Sequence, residues 1–221
     1  MPQRPCIAVI ADIVGSRRFR GAQRGAVQRR FDALVRQLNQ RFHGKLLAPF
    51  VISRGDEFQG LLRGAGILPD MIWNLELWFT TADVRVGIGY GTLETPPGSN
   101  VLQLDGPVLH RAREALDVAA TTKRLGGVFR GFGEAGDPIL NGIARLLHRQ
   151  RERMSARQRG VLQHLREGST QMAIAKKLGL TKQAISDHAR AAGWEAYREG
   201  DIAWSTALDR FTAPGPAGRK P

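Results

Sequence analysis

Residues 52–62, ISRGDEFQGLL, place Arg54, Asp56 and Glu57 between two apolar runs. With LLAPFVIS (46–53) before the charges and FQGLL (58–62) after them, the segment reads as a β-hairpin whose tight turn falls at Gly55. Working outward, CIAVIADIV (6–14) is an apolar run that reads as a buried central strand. From about Ala22, Val27, Phe31, Leu34, Leu38 and Phe42 recur at helical spacing with arginines on the opposite face. Pro69 and Asp70 open a second helix with Met71, Ile72, Leu75, Trp78 and Phe79 on one face, and DVRVGIGYGTL (83–93) alternates as a strand. The glycines of RVGIGYG fit a strand beside a closely approaching backbone better than a nucleotide loop. A third helix follows in GPVLHRAREALDVAA (106–120), and GGVFRGFG (126–133) adds a short strand. The order β, α, β, β, α, β predicts an α+β fold of the ferredoxin-like, split βαβ kind, with helices packed on one face.

In that arrangement the end of the first strand lies beside the hairpin, so Asp12 and Asp56 meet. Two carboxylates brought together suit a hard cation, Mg2+ or Mn2+, that also takes substrate phosphates. The following loop, VGSRR (14–18), offers backbone N–H groups to an anion, with Gly15 permitting close approach and Arg17 and Arg18 adding charge. The alternative at this point is that Asp12 is a turn or cap residue and that Asp56 and Glu57 are solvated hairpin charges.

Charge points to an anionic partner. The 221 residues carry 33 Lys and Arg against 20 Asp and Glu, a net charge of +13, which favours nucleic acid or nucleotide phosphate. The excess is concentrated early: Arg4, Arg17, Arg18, Arg20, Arg24, Arg29, Arg30, Arg36, Arg41 and Lys45 face only Asp12 and Asp32. The chain has no apolar run of membrane-spanning length and no signal-peptide pattern, so a cytoplasmic protein with no membrane partner is expected. The lone Cys6 sits in an apolar strand and excludes a disulfide framework.

Residues 155–195 hold three short helical patterns separated by REGST and LGL. Ser169 or Thr170 caps the second and Thr181 the third. Ala175, Gly179 and Ile185 supply a small residue at a helix crossing, a tight turn and an apolar anchor, which is a helix-turn-helix spacing. Ile185 and Ala189 face inward on the third helix, leaving Lys182, Gln183, Ser186 and Arg190 outward to meet base edges or phosphates of DNA. A three-helix bundle used for protein contact would share this spacing. The division expected is an α+β domain over residues 1–135, a connecting helix over 136–154, a helix-turn-helix domain over 155–200, and a C-terminal segment with a disordered tail over 201–221. On the connecting helix Ile139, Ile143, Leu146 and Leu147 are placed to pack on the sheet domain or on a second subunit.

Four blocks in order, IADIVGSR, RGDEFQGLL, RVGIGYG and DGPVLHRAREAL, resemble the SatD family of bacterial proteins over roughly residues 5–132, and more distantly the class III nucleotide cyclases. TQMAIAKKLGLTKQAISDHARAAGW (170–194) resembles winged and sigma-factor-like DNA-binding domains. By the cyclase resemblance Asp12 and Asp56 are metal ligands, Ile13 contributes a carbonyl ligand, and Val14 to Ser16 form the phosphate-binding backbone. The chain departs from cyclases at three positions: Ile52 stands where a base-selecting lysine is expected, and His110 and Glu114 stand where an Asn and a transition-state Arg are expected. Arg113 is a nearby substitute for that Arg. These departures favour a DNA-binding regulator whose cyclase-like domain binds a nucleoside triphosphate or other nucleotide with metal, or mediates a homodimer. The alternative is an active metal-dependent nucleotidyltransferase or cyclase using Asp12 and Asp56, with Arg113 stabilising the departing pyrophosphate.

Overall fold

The computed structural model describes residues 5–96 and 100–213. Five strands form one mixed sheet in the order β2-β3-β1-β4-β5: β1 (Cys6–Ile13), β2 (Leu46–Arg54), β3 (Glu57–Leu62), β4 (Val84–Gly91) and β5 (Val128–Arg130). β1 is central because its residues are apolar in both directions, and all but Asp12 are buried. It pairs antiparallel with β3 and β4, while β5 adds in parallel to β4.

Both faces of β1 demand cover, and both receive it, in contrast to the single helical layer expected from the sequence. Ile7, Val9, Ala11 and Ile13 face α1 (Gly21–Phe42) and α2 (Leu68–Trp78), whereas Cys6, Ala8 and Ile10 face α3 (Pro107–Thr121). Two glycines of β4 make room for α3. A Cβ at Gly89 would lie 2.2 Å from the carbonyl oxygen of Val108, and one at Gly87 would lie 2.2 Å from that of Ala112. Gly89→Ala is therefore expected to push α3 off the sheet and to cost about 1–3 kcal/mol, read as a lower denaturant midpoint.

Beyond β5 the chain is helical: α4 (Gly136–Glu152), α5 (Ala156–Arg166), α6 (Gln171–Leu178), α7 (Lys182–Ala191) and α8 (Trp194–Thr212). α4 buries Leu140, Ala144 and Leu147 against the sheet layer, but Ile139 and Leu146, expected to pack on the sheet domain or on a second subunit, do not pack on the sheet domain and are 45% and 73% exposed. The expected boundary at residues 200 and 201 runs through α8. This helix buries Tyr197, Trp204 and Leu208 in the same core as Phe31, Ile72 and Leu140, so the segment after residue 200 is a structural part of that core. The expected disordered tail lies, from Pro214 on, outside the described residues.

Polar staples complete the join. Arg166 on α5 donates to Asp70 on α2 (2.6 Å) and to Asp201 on α8 (2.7 Å), with its guanidinium 4.8 Å from the Trp73 ring centroid. Gln150 on α4 donates to the carbonyls of Ala192 and Gly193, ahead of α8. α5, α6 and α7 also share a small apolar centre of Val161, Ile174, Ala175, Ile185 and Ala189. Among the described residues no helix is long and apolar enough to cross a membrane.

Candidate functional site

The head of β1 and the β2–β3 turn adjoin as the hairpin reading requires. The Ile13 N–H donates to the Asp56 carbonyl (2.9 Å), and the Ser16 hydroxyl donates to the Asp56 carboxylate. Ser16, Arg17, Arg24, Gln28, Arg54 and Asp56 line a cleft of about 450 Å³, with Ile13 among its apolar walls. Arg18 turns away: its guanidinium lies 5.1 Å from the Phe19 ring centroid, and the side chain lines a different cavity beside Asp83. The Val14 N–H is already spent on the Asp83 carbonyl (2.9 Å), which removes it from the expected anion cradle. Gly15 has φ 67, followed by a short 3-10 turn over Ser16–Arg18, and α1 begins only at Gly21. Its N-terminal amides are therefore displaced along the chain from the loop they were expected to extend.

The carboxylates of this edge each have a partner. In the sheet register Asp12 stands opposite Glu57 on β3 and opposite Arg85 on β4. Arg85 grips Asp12 with both ends of its fork, Nε to Oδ1 at 2.9 Å and Nη2 to Oδ2 at 2.6 Å. Glu57, 7% exposed and so not a solvated hairpin charge, takes both Arg113 Nη atoms at 2.6 and 2.8 Å and the Ser53 hydroxyl at 2.7 Å. Burial raises the Asp12 carboxyl above its ordinary range; Arg85 opposes the rise, and the charges of Glu57 and Asp56 add to it. Burial would raise Glu57 as well, but the hydrogen bonds from Arg113 and Ser53 outweigh it and hold that carboxyl low.

These contacts decide how well the edge suits magnesium or manganese. Three carboxylates, Asp12, Asp56 and Glu57, are outnumbered by Arg17, Arg24, Arg54, Arg85 and Arg113. A divalent ion would have to approach Asp12 against a guanidinium already seated on both of its oxygens, so these residues do not fit the expected metal pair. Among the described residues no cluster of three or more His, Cys, Asp or Glu side chains is placed to hold a metal. Arg113 does not reach toward the cleft: it is engaged with Glu57, and releasing it would leave a buried carboxylate unpaired. His110 pairs with Asp105 (3.0 Å) at the solvent-exposed start of α3.

A second candidate surface lies on α7. Thr170 and Thr181 accept from the N–H groups of Ala173 and Ala184, so each caps the helix that follows. Gly179 ends α6 at φ 64, a left-handed conformation that costs Gly little, and Leu180 N–H closes the turn on the Ala175 carbonyl. With Ile185 and Ala189 inward, Lys182, Gln183 and Arg190 are exposed and Ser186 is half-buried. Between them Asp187 accepts from Arg190 Nη2 (2.5 Å) and Gln183 Nε2 (3.2 Å).

A sequence model described as the SatD family matches residues 6–203. The chain belongs to the SatD family. The match runs through the sheet, α3, α4 and the three short helices, so it covers both candidate surfaces of this SatD-family chain. No curated protein matches it. Among solved structures, a bacterial light-regulated adenylyl cyclase is similar at 13% identity and a TM-score of 0.41, over 58% of this chain and 77% of that one.

Sequence reasoning missed Arg85, Glu57, Arg24 and Arg54 as members of the site. Arg85 lies in the quoted block RVGIGYG, and its pairing with Asp12 follows once β1 and β4 are laid antiparallel in register.

Proposed function

We propose that this protein is a DNA-binding regulator whose α+β unit binds a phosphate-bearing nucleotide in the cleft beside Ser16 and Arg17. The observation that carries the first half is the α6–turn–α7 geometry: two capped short helices around a glycine turn, with Lys182, Gln183, Ser186 and Arg190 outward. That is the arrangement a helix-turn-helix uses to lay its second helix in the major groove. The overall charge of +13 favours the same partner. The strand order β2-β3-β1-β4 supports reading the sheet unit as ferredoxin-like and cyclase-like. A two-fold homodimer would present two recognition helices about 34 Å apart. The alternative, a metal-dependent nucleotidyltransferase or cyclase, keeps the closeness of Asp12 and Asp56 in its favour but loses Arg113 and the metal fit.

The test is selection of duplexes from a random pool by the full chain, followed by fluorescence anisotropy over a range of salt. A recovered consensus, bound with affinity that falls steeply with salt, is the expected result. Failure to enrich any sequence, with the same weak affinity for every duplex, would overturn the regulator reading.

A further inference from the structure

We propose that the Arg85 guanidinium holds the place on Asp12 that a divalent cation would need, so that the adjoining cleft takes a phosphate-bearing anion directly, without a metal. The anion half rests on the phosphate-binding reading above; the exclusion of metal by Arg85 does not.

The pair is fixed by the backbone. β1 and β4 place Asp12 and Arg85 directly opposite one another, and β3 places Glu57 on the other flank of Asp12. The row thus runs Arg85, Asp12, Glu57, Arg113: the two carboxylates stand opposite one another on neighbouring strands, where like charges repel, and an arginine at each end, from β4 and from α3, offsets that repulsion. Each guanidinium meets its carboxylate with two parallel hydrogen bonds, the strong planar mode open to Arg. The Asp12 and Arg85 side chains are each only 21% exposed, so water screens this pair less than it would a surface pair. A magnesium ion brought to Asp12 would lie within a few ångströms of a positive charge that, among the described residues, has no other carboxylate partner.

The cleft beside this row has the charge to replace the metal's usual service to a polyphosphate. Arg17, Arg24 and Arg54 line it against one carboxylate, Asp56, and none of the three is in an ion pair among the described residues. Asp56 is itself tied to Ser16. About 450 Å³ lies within the range of small-molecule sites and admits a pyrophosphate or a triphosphate tail.

Two titrations on the full chain decide the matter. In the first, free Mn2+ is followed by electron paramagnetic resonance in the presence of wild-type protein, Arg85→Ala, and Arg85→Ala with Asp12→Asn. Wild type is expected to show no site that depends on Asp12. Arg85→Ala should gain one, at least about tenfold tighter than any wild-type binding because the repelling charge is gone, and the double variant should lose it. In the second, ATP is titrated calorimetrically in EDTA and in excess Mg2+, with equal or tighter binding expected in EDTA and weaker binding in Arg17→Ala and Arg24→Ala. A wild-type Mn2+ site that disappears in Asp12→Asn, or ATP binding that vanishes in EDTA, overturns the proposal. Absence of ATP binding in both media overturns the phosphate-binding reading, while the Mn2+ titration still decides the role of Arg85. Should Arg85→Ala fail to fold, the comparison of wild type with Asp12→Asn is sufficient by itself.

Discussion

Glu76→Ala is expected to destabilise the protein by about 3–5 kcal/mol, the cost of leaving a buried charge without its partner. Arg151 on α4 is 3% exposed and reaches Glu76 on α2 through Nε (2.7 Å) and Nη2 (2.9 Å), while its Nη1 donates to the Tyr197 hydroxyl on α8 (3.0 Å). His148 adds a contact to Glu76 at 3.0 Å. Removing the carboxylate would strand the guanidinium in a core that joins three helices, lowering the melting temperature by on the order of 10 °C. Arg151→Met together with Glu76→Leu should recover much of the loss, since a matched apolar pair avoids the desolvation cost. The same group sets an acid limit. Burial alone would raise the Glu76 carboxyl, but the Arg151 charge and the His148 and Arg151 hydrogen bonds outweigh it and hold it at about 2, against 4.5 for a free glutamate. A carboxyl depressed on folding stabilises above its unfolded value, so this contribution is full above about pH 4.5 and is lost between there and about pH 2. Denaturant midpoints of wild type should fall across that window, and those of Glu76→Gln should fall less. A Glu76→Ala protein as stable as wild type at pH 7 would mean that the network contributes little.

The first half of the fold was legible because its elements obey single periods. Val27, Phe31, Leu34, Leu38 and Phe42 mark α1 by spacing, and all five are buried. Gly55 and the apolar runs around it mark the hairpin, and the glycines of RVGIGYG mark a close backbone, which proves to be α3. α8 was not expected as one helix, and the boundary at residue 200 falls inside it, although Tyr197, Trp204, Leu208 and Phe211 recur at helical spacing. Gly200 lies within the helix where α4 and α8 meet: a Cβ there would sit 2.9 Å from the Leu147 side chain, whose tip would have to shift. The charged row Arg85, Asp12, Glu57, Arg113 was illegible for another reason. A charge in a half-buried strand reads as solvent-facing until the register shows which residue stands opposite. Asp12 and Asp56 are adjacent, as the strand order implied, yet the arginine that answers Asp12 comes from β4 and the one that answers the neighbouring Glu57 comes from α3, each far along the chain from its carboxylate.

Lys182→Ala combined with Arg190→Ala is expected to lower affinity for a selected duplex by on the order of 100-fold, with each substitution removing about one unit from the slope of log affinity against log salt. Both side chains are exposed on α7, and neither takes part in the small core of α5, α6 and α7, so the variants should melt as wild type does. Gln183→Ala and Ser186→Ala should behave differently. Residues that read base edges change which duplex is preferred and leave the salt slope alone, with discrimination at one base pair falling by about 1–3 kcal/mol. Asp187 distinguishes this surface from a generic basic helix. It accepts from both Arg190 and Gln183, and its charge opposes an approaching phosphate. Asp187→Asn should therefore tighten binding to all duplexes and weaken the preference among them, because the two side chains it orients gain freedom as the repulsion is removed. If Asp187→Asn tightens nothing and the Lys182 and Arg190 variants keep wild-type salt slopes, α7 is not the face that meets DNA. The exposed arginines of α1, Arg29 and Arg36, would then be the next surface to substitute.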